Sequence, residues 1–171
     1  MWCPSADGRM GATDRLPSHQ CQAHFILRIA IASDHAAFEL KGVLAAALAE
    51  WGHTVLDLGT DSEARVDYPD FGYKLANAIA DGSAEFGVAL CGSGIGISIA
   101  VNRNAACRCA LVSDPYSATL AREHNDANVI AMGARLIGID QAKACLAAFL
   151  AGAFAGGRHE GRVAKLTHPT V

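Results

Sequence analysis

Aromatic side chains are scarce in this chain, 6% of its 171 residues, so its core has to be built mostly from aliphatic and small groups. No apolar run approaches the ~20 residues that a helical bilayer span needs, which excludes a membrane helix by length alone. No block of like charge occurs and the net charge is −3, so bulk electrostatics give no reason to expect a nucleic-acid or membrane partner. Six cysteines are present, yet none makes a C-x-x-C pair, and G-K-[ST] is missing, which excludes a P-loop. The opening "MWCPSADGRMGATDRLPSHQCQAH" is polar and broken by prolines, without the apolar segment of a secretory signal. The expected setting is the cytoplasm.

What is present is a single regular pattern. At 51% apolar residues, the chain is long enough for one domain with its own core. Residues 1–27 carry no apolar period and read as a flexible extension, leaving residues 28–171 as the domain. Short apolar strands alternate with helical segments: "LRIAIAS", "TVLDLG", "EFGVALCG", "CRCALVS" and "NVIAMG" against "FELKGVLAAALAEWG", "YPDFGYKLANAIADG", "IGISIAVNRN", "DPYSATLAREHN" and "GIDQAKACLAAFLAGAF". Asp114 is the expected N-cap and Pro115 the first residue of its helix. Gly52 is the expected C-terminal stop of the first helix. The alternation predicts an α/β fold, a Rossmann-like three-layer sandwich with a five-stranded parallel sheet. Cys107 and Cys109 fall on one face of the fourth strand, and with Cys145 they read as free buried thiols.

In such sheets ligands bind beyond the carboxyl ends of the strands. The residues expected there are Asp34 and His35 after the first strand and Tyr68 in the loop after the second. Cys91, Gly92 and Ser93 follow the third strand, and Arg135 the fifth. In "CGSGIGIS" the glycines Gly92, Gly94 and Gly96 alternate as G-x-G-x-G after the third strand. A dinucleotide fingerprint would read G-x-G-x-x-G after the first, so nucleotide binding is disfavoured. The glycines still permit positive φ and close backbone approach. The helix that follows points amides and a positive dipole end toward negative charge, a field that would also favour a thiolate at Cys91. A buried cysteine filling a strand end is the competing reading. His124 and Asn125 end a helix, where a histidine serves either as a cap on the dipole or as an acid/base group. Arg158 and Arg162, four apart, form either a phosphate grip or a solvated basic tail.

"SDHAAF", "DYPDF", "CGSGIGISIAVN", "DPYSATLAREHNDANV", "MGARLIG" and "GGRHEGRV" occur in this order and spacing. Together they resemble the type B ribose-5-phosphate isomerases, the group that also includes the galactose-6-phosphate isomerase subunits. The resemblance implies interconversion of ribose 5-phosphate and ribulose 5-phosphate without a metal or organic cofactor. It implies a homodimer, with a tetramer also open, whose active sites lie between subunits. It implies that Cys91 is the base moving a proton between C1 and C2. A second branch uses a glutamate further along the same loop, where this chain has Ser98. It implies that Ser93 lies beside the reacting oxygen, that His124 opens the furanose ring, and that Asp34, His35, Tyr68 and Asn125 contact substrate. Arg135, Arg158 and Arg162 match phosphate-binding positions. The six-carbon sugar phosphates are the alternative substrates. A non-catalytic sugar-phosphate module and a Cys91–His124 thiol hydrolase are the readings of other classes.

Overall fold

Alternate residues of the central strands differ in size, and that difference sets the layers of the molecule. The structure, a computed structural model, describes residues 26–168. Strand β1 (Arg28–Ser33) is followed by a 3-10 turn, His35–Ala37, and helix α1 (Phe38–Glu50). The chain continues through β2 (Thr54–Asp57), α2 (Tyr68–Ala80), β3 (Phe86–Cys91), α3 (Ile95–Val101), β4 (Cys109–Leu111), α4 (Pro115–Asn125), β5 (Val129–Gly133) and α5 (Ile139–Ala151). A second 3-10 turn, Gly157–His159, leads into α6 (Glu160–Thr167). Every strand pairing is parallel and the order is β2-β1-β3-β5-β4. The expected five-stranded parallel α/β sandwich is the fold observed.

Ile29, Ile31, Val88, Leu90, Ile130 and Met132 face α1, α4 and α5, where Leu44, Leu48, Leu146 and Phe149 complete one core. The intervening Ala30, Ala32, Ala89 and Ala131 face α2 and α3, against Phe71, Leu75 and Ile97. Large residues thus fill the three-helix layer, and small ones let α2 and α3 approach the other face. Cys91 belongs to this second face, which puts its thiol beside the starts of α2 and α3.

Several local expectations are met. The Asp114 carboxylate accepts from the Ser117 N–H at 2.9 Å, and Gly52 takes φ +86° just beyond α1. Others are corrected. The third-strand helix ends at Val101 rather than Asn104, because Asn102 turns away and pairs with the backbone of Cys109 at both side-chain atoms. β4 begins at Cys109, so Cys107 precedes the strand instead of sharing its face; Cys107 is buried and Cys109 only half-buried. The flexible extension expected over residues 1–27 lies almost wholly outside the described residues. Among the described residues, no helix is long and apolar enough to cross a membrane.

A half-buried ion pair braces the edge of the sheet. Lys41 is 3% exposed, and its ammonium donates to both carboxylate oxygens of Asp57 at 2.6 Å. Asp57 also accepts from the Gly59 N–H, shaping the turn whose backbone bonds to Ser33. Asp57→Ala strands the ammonium. Breaking a fully buried pair costs ~3–5 kcal/mol and an exposed one under ~1, so the half-exposed Asp57 sets an expectation of about 2 kcal/mol, read from the urea midpoint.

Candidate active site

Strand order reverses between β1 and β3, and in open parallel sheets that reversal leaves a crevice at the carboxyl edge. Here a cleft of about 610 Å³ lies at this edge, lined by Asp34, His35, Tyr68, Cys91, Gly92, Ser93, Gly96 and Arg135. Ala36, Ile95, Ile99 and Leu136 complete its wall. Eight of the residues expected at the site therefore converge, from four separate segments of the chain.

Each is held by its local structure. The Asp34 N–H donates to the Leu90 carbonyl, joining the ends of β1 and β3, while its carboxylate caps the 3-10 turn through the Ala36 N–H at 3.0 Å. His35 Nδ1 accepts from the Val66 N–H at 3.3 Å. The proton of the neutral ring then sits on Nε2, a donor available to the cleft. Arg135 packs over Gly92, and its own N–H donates to the Gly92 carbonyl. Tyr68 lies against Gly96 so closely that a Cβ there would meet its ring at 2.5 Å.

Cys91 is the last residue of β3, and the residue is 4% exposed. The Gly94 N–H donates to its sulfur at 3.1 Å. Such a donor strengthens as sulfur gains negative charge. Gly94 reaches this position at φ +74°, in the left-handed region that glycine occupies without strain. Ser93 Oγ accepts from the Ile95 N–H, leaving its hydroxyl hydrogen free for a ligand. Helix α3 has only seven residues, and the donor at the thiol is the single Gly94 N–H at its start.

The loop depends on its contact with β5. A Cβ on Gly133 would come within 2.6 Å of the Ser93 carbonyl carbon and oxygen. Gly133→Ala must therefore displace Ser93. A shift near 1 Å typically costs ~10²-fold in rate, so turnover is expected to fall by about that factor with only a modest drop in thermal midpoint.

His124, Asn125, Arg158 and Arg162 do not join this cleft. Helix α4 starts beside the carboxyl edge at Asp114 and runs antiparallel to the strands for 11 residues. At 1.5 Å per residue this carries its end ~16 Å, to the opposite edge of the sheet. There the His124 ring stacks on His159, centroids 4.3 Å apart and planes within 6°. Arg158 Nε donates to His159 Nε2 at 3.2 Å, and the Ala155 N–H donates to the Glu123 carbonyl. Burial, then the neighbouring His124, Arg158 and Arg162, lowers the His159 pKa, which keeps that acceptor neutral. Asn125 lines a separate depression with Asn102, Arg108 and Leu166. The residues expected at the site thus fall into two groups at opposite edges of the sheet, and a Cys91–His124 pair does not form within one chain. Among the described residues, no three His, Cys, Asp or Glu side chains gather as metal ligands.

A family model described as Ribose/Galactose Isomerase matches residues 29–166. The chain belongs to this family. Among its relatives, "Ribose-5-phosphate isomerase B" of Escherichia coli is 45% identical over 140 residues, covering 82% of this chain and 94% of the relative. "D-erythrulose-4-phosphate isomerase" of Pectobacterium atrosepticum is 43% identical over 142 residues, covering 82% and 93%. Among solved structures, ribose-5-phosphate isomerase B of Clostridium thermocellum superposes with a TM-score of 0.82 at 43% identity, covering 82% of this chain and 95% of that one. The enzyme of Thermotoga maritima gives 0.81 at 48% identity, covering 82% and 97%.

In this family member the sequence reading missed His159, although it sits between the two arginines of "GGRHEGR". It also missed the apolar wall of Ile95, Ile99 and Leu136, which looks in sequence like ordinary helix and loop. No local signal separates those residues from core.

Proposed function

We propose that the protein is an aldose–ketose isomerase interconverting D-ribose 5-phosphate and D-ribulose 5-phosphate. The observation that carries the reading is the carboxyl-edge cleft, where Cys91 and Ser93 meet aimed backbone amides and Arg135. An aldose phosphate is mostly cyclic, so an acid/base group must first open the ring, and His124 takes that role. The thiolate of Cys91 then removes the proton next to the carbonyl and returns it to the neighbouring carbon. The Ser93 hydroxyl and the loop amides stabilise the enediolate oxygen, a kind of donor worth ~3 kcal/mol each. Asp34, His35 and Tyr68 orient the sugar, and Arg135 meets the phosphate.

The remaining groups come from a second copy of the chain. His124, Asn125, Arg158 and Arg162 lie at the far edge of the sheet, so a complete site needs the far edge of one copy over the cleft of the other. A homodimer with two shared sites satisfies this by two-fold symmetry. The reaction belongs to pentose phosphate metabolism. Cys91, Cys107, Cys109 and Cys145 are all unpaired, which suits the reducing cytoplasm.

The test is turnover across ribose 5-phosphate, allose 6-phosphate, galactose 6-phosphate and D-erythrulose 4-phosphate, without added metal. The highest kcat/KM is expected on ribose 5-phosphate. Preference for a six- or four-carbon phosphate would replace the substrate while keeping the chemistry, and no activity on any would overturn the reading.

A further inference from the structure

The residue that follows His124 and Asn125 is Asp126, and its backbone is exceptional. At φ 45°, ψ 43° it is the sole non-glycine residue with positive φ among the described residues. Aspartate tolerates this region better than most side chains, yet it still needs support.

Two arginines supply that support. Arg108 Nη2 meets Asp126 Oδ2 at 2.7 Å, while Arg108 Nε donates to the Asp126 carbonyl, also at 2.7 Å. From the other side, Arg122 Nη1 donates to Asp126 Oδ1 at 3.0 Å and to the Ala127 carbonyl at 2.6 Å. Arg122 is 9% exposed, with its guanidinium 4.8 Å from the centroid of the Phe86 ring. Phe86 in turn packs edge-on against Phe149, so Arg122 is anchored in the core. Arg108 is anchored too: its N–H donates to the Asn128 side chain, which donates back to the Ala106 carbonyl. Both carboxylate oxygens and two successive carbonyls of one tight turn are therefore held by two planar cations that are themselves fixed. Helix ends fray when left alone. This one is clamped at the turn immediately after the imidazole and amide that the second copy needs.

We propose that Arg108, Asp126 and Arg122 form a positioning clamp that holds His124 and Asn125 for ring opening in the partner's cleft. The clamp acts through the geometry of the helix end. It rests on the ring-opening role of His124 given above.

Two substrates separate the steps. Ribose 5-phosphate must be opened. Ribulose 5-phosphate has its C5 oxygen esterified, cannot close a five-membered ring, and reports base chemistry alone through solvent-deuterium exchange at C1, followed by NMR. Arg108→Gln removes the outer cation and leaves the buried Arg122–Asp126 pair in place. It is expected to lower ribose 5-phosphate turnover ~10- to 100-fold, with C1 exchange close to wild type and the thermal midpoint lower by only a few degrees. Arg108→Lys keeps the charge but cannot hold carbonyl and carboxylate together, and should fall between. Asp126→Asn, which keeps an αL-tolerant side chain, should show the same split between substrates. Equal loss on both substrates, or no loss on either, would overturn the clamp. His124→Ala is measured alongside. If it shows the split and the clamp variants do not, the clamp alone is wrong. If it too shows no split, the ring-opening assignment fails and takes the clamp with it.

Discussion

Replacing Cys91 with alanine is expected to lower kcat for isomerisation of ribose 5-phosphate by ~10³-fold or more, with the fold intact. The substitution removes one sulfur from a residue that is 4% exposed at the end of a central strand. Its structural cost is small, about 1 kcal/mol or less by comparison with single-group deletions in cores. What is lost, on the proposed mechanism, is the thiolate that moves the proton, held beside the Gly94 N–H. No other described thiol can substitute. Burial pushes Cys107 up to about 11, and it also raises Cys109 and Cys145, none of which lines the cleft. Cys91→Ser sharpens the test. Serine keeps an atom that can accept from the Gly94 N–H, but its hydroxyl is far too weak an acid to be a base at neutral pH. Loss of activity in both variants, with an unchanged urea midpoint and unchanged circular dichroism, marks the thiolate as the base. Normal turnover in either would place the proton transfer on another group.

The features that sequence conveyed well are local ones. Alternation of Ile and Ala along "RIAIA" announces a strand buried on both faces, and the structure divides those residues between two helical layers. Asp114 followed by Pro115 marks a helix start through chemistry that acts within one turn. The glycines of "CGSGIGIS" mark a place where backbone must approach something closely, and Gly94 takes the positive φ expected of it. Strand ends then collect Asp34, His35, Cys91 and Arg135 at one edge, because a parallel sheet leaves them nowhere else to go.

What sequence conveyed poorly depends on direction and on distant packing. His124 stands just before a strand, not just after one. In a parallel sheet that difference of a few residues moves it to the opposite edge, and only the path of α4 makes the separation plain. Arg122 looks like a surface residue in a helix of low hydrophobicity. Its burial comes from Phe86 and Phe149, which arrive from segments far away in the chain. Asp126 offers no sign of its left-handed backbone, because its partner Arg108 is 18 residues away. The length of α3 is set by the bonds of Asn102 to Cys109 across seven residues, a tertiary contact that helical periodicity does not anticipate.

His124→Ala should separate ring opening from proton transfer and reveal how the two groups of residues meet. Turnover of cyclic ribose 5-phosphate is expected to fall ~10²- to 10⁴-fold, the usual worth of a positioned acid/base group, while C1 exchange of open-chain ribulose 5-phosphate persists. An equal fall in both would assign His124 to the proton transfer itself or to structure. The geometry gives a second readout. If each site takes Cys91 from one copy and His124 from the other, a mixed dimer of Cys91→Ala and His124→Ala chains has one site with both groups and one site with neither. Co-expressed with two different affinity tags and purified through both, that mixed dimer should regain about half of wild-type ribose 5-phosphate turnover by two-fold symmetry, although each parent homodimer keeps about 1% of it or less. Such recovery is impossible if both groups act within one chain, because every site in the mixed dimer would then lack one of them. The ~16 Å that α4 puts between the edges of the sheet argues for recovery, since no side chain bridges that span.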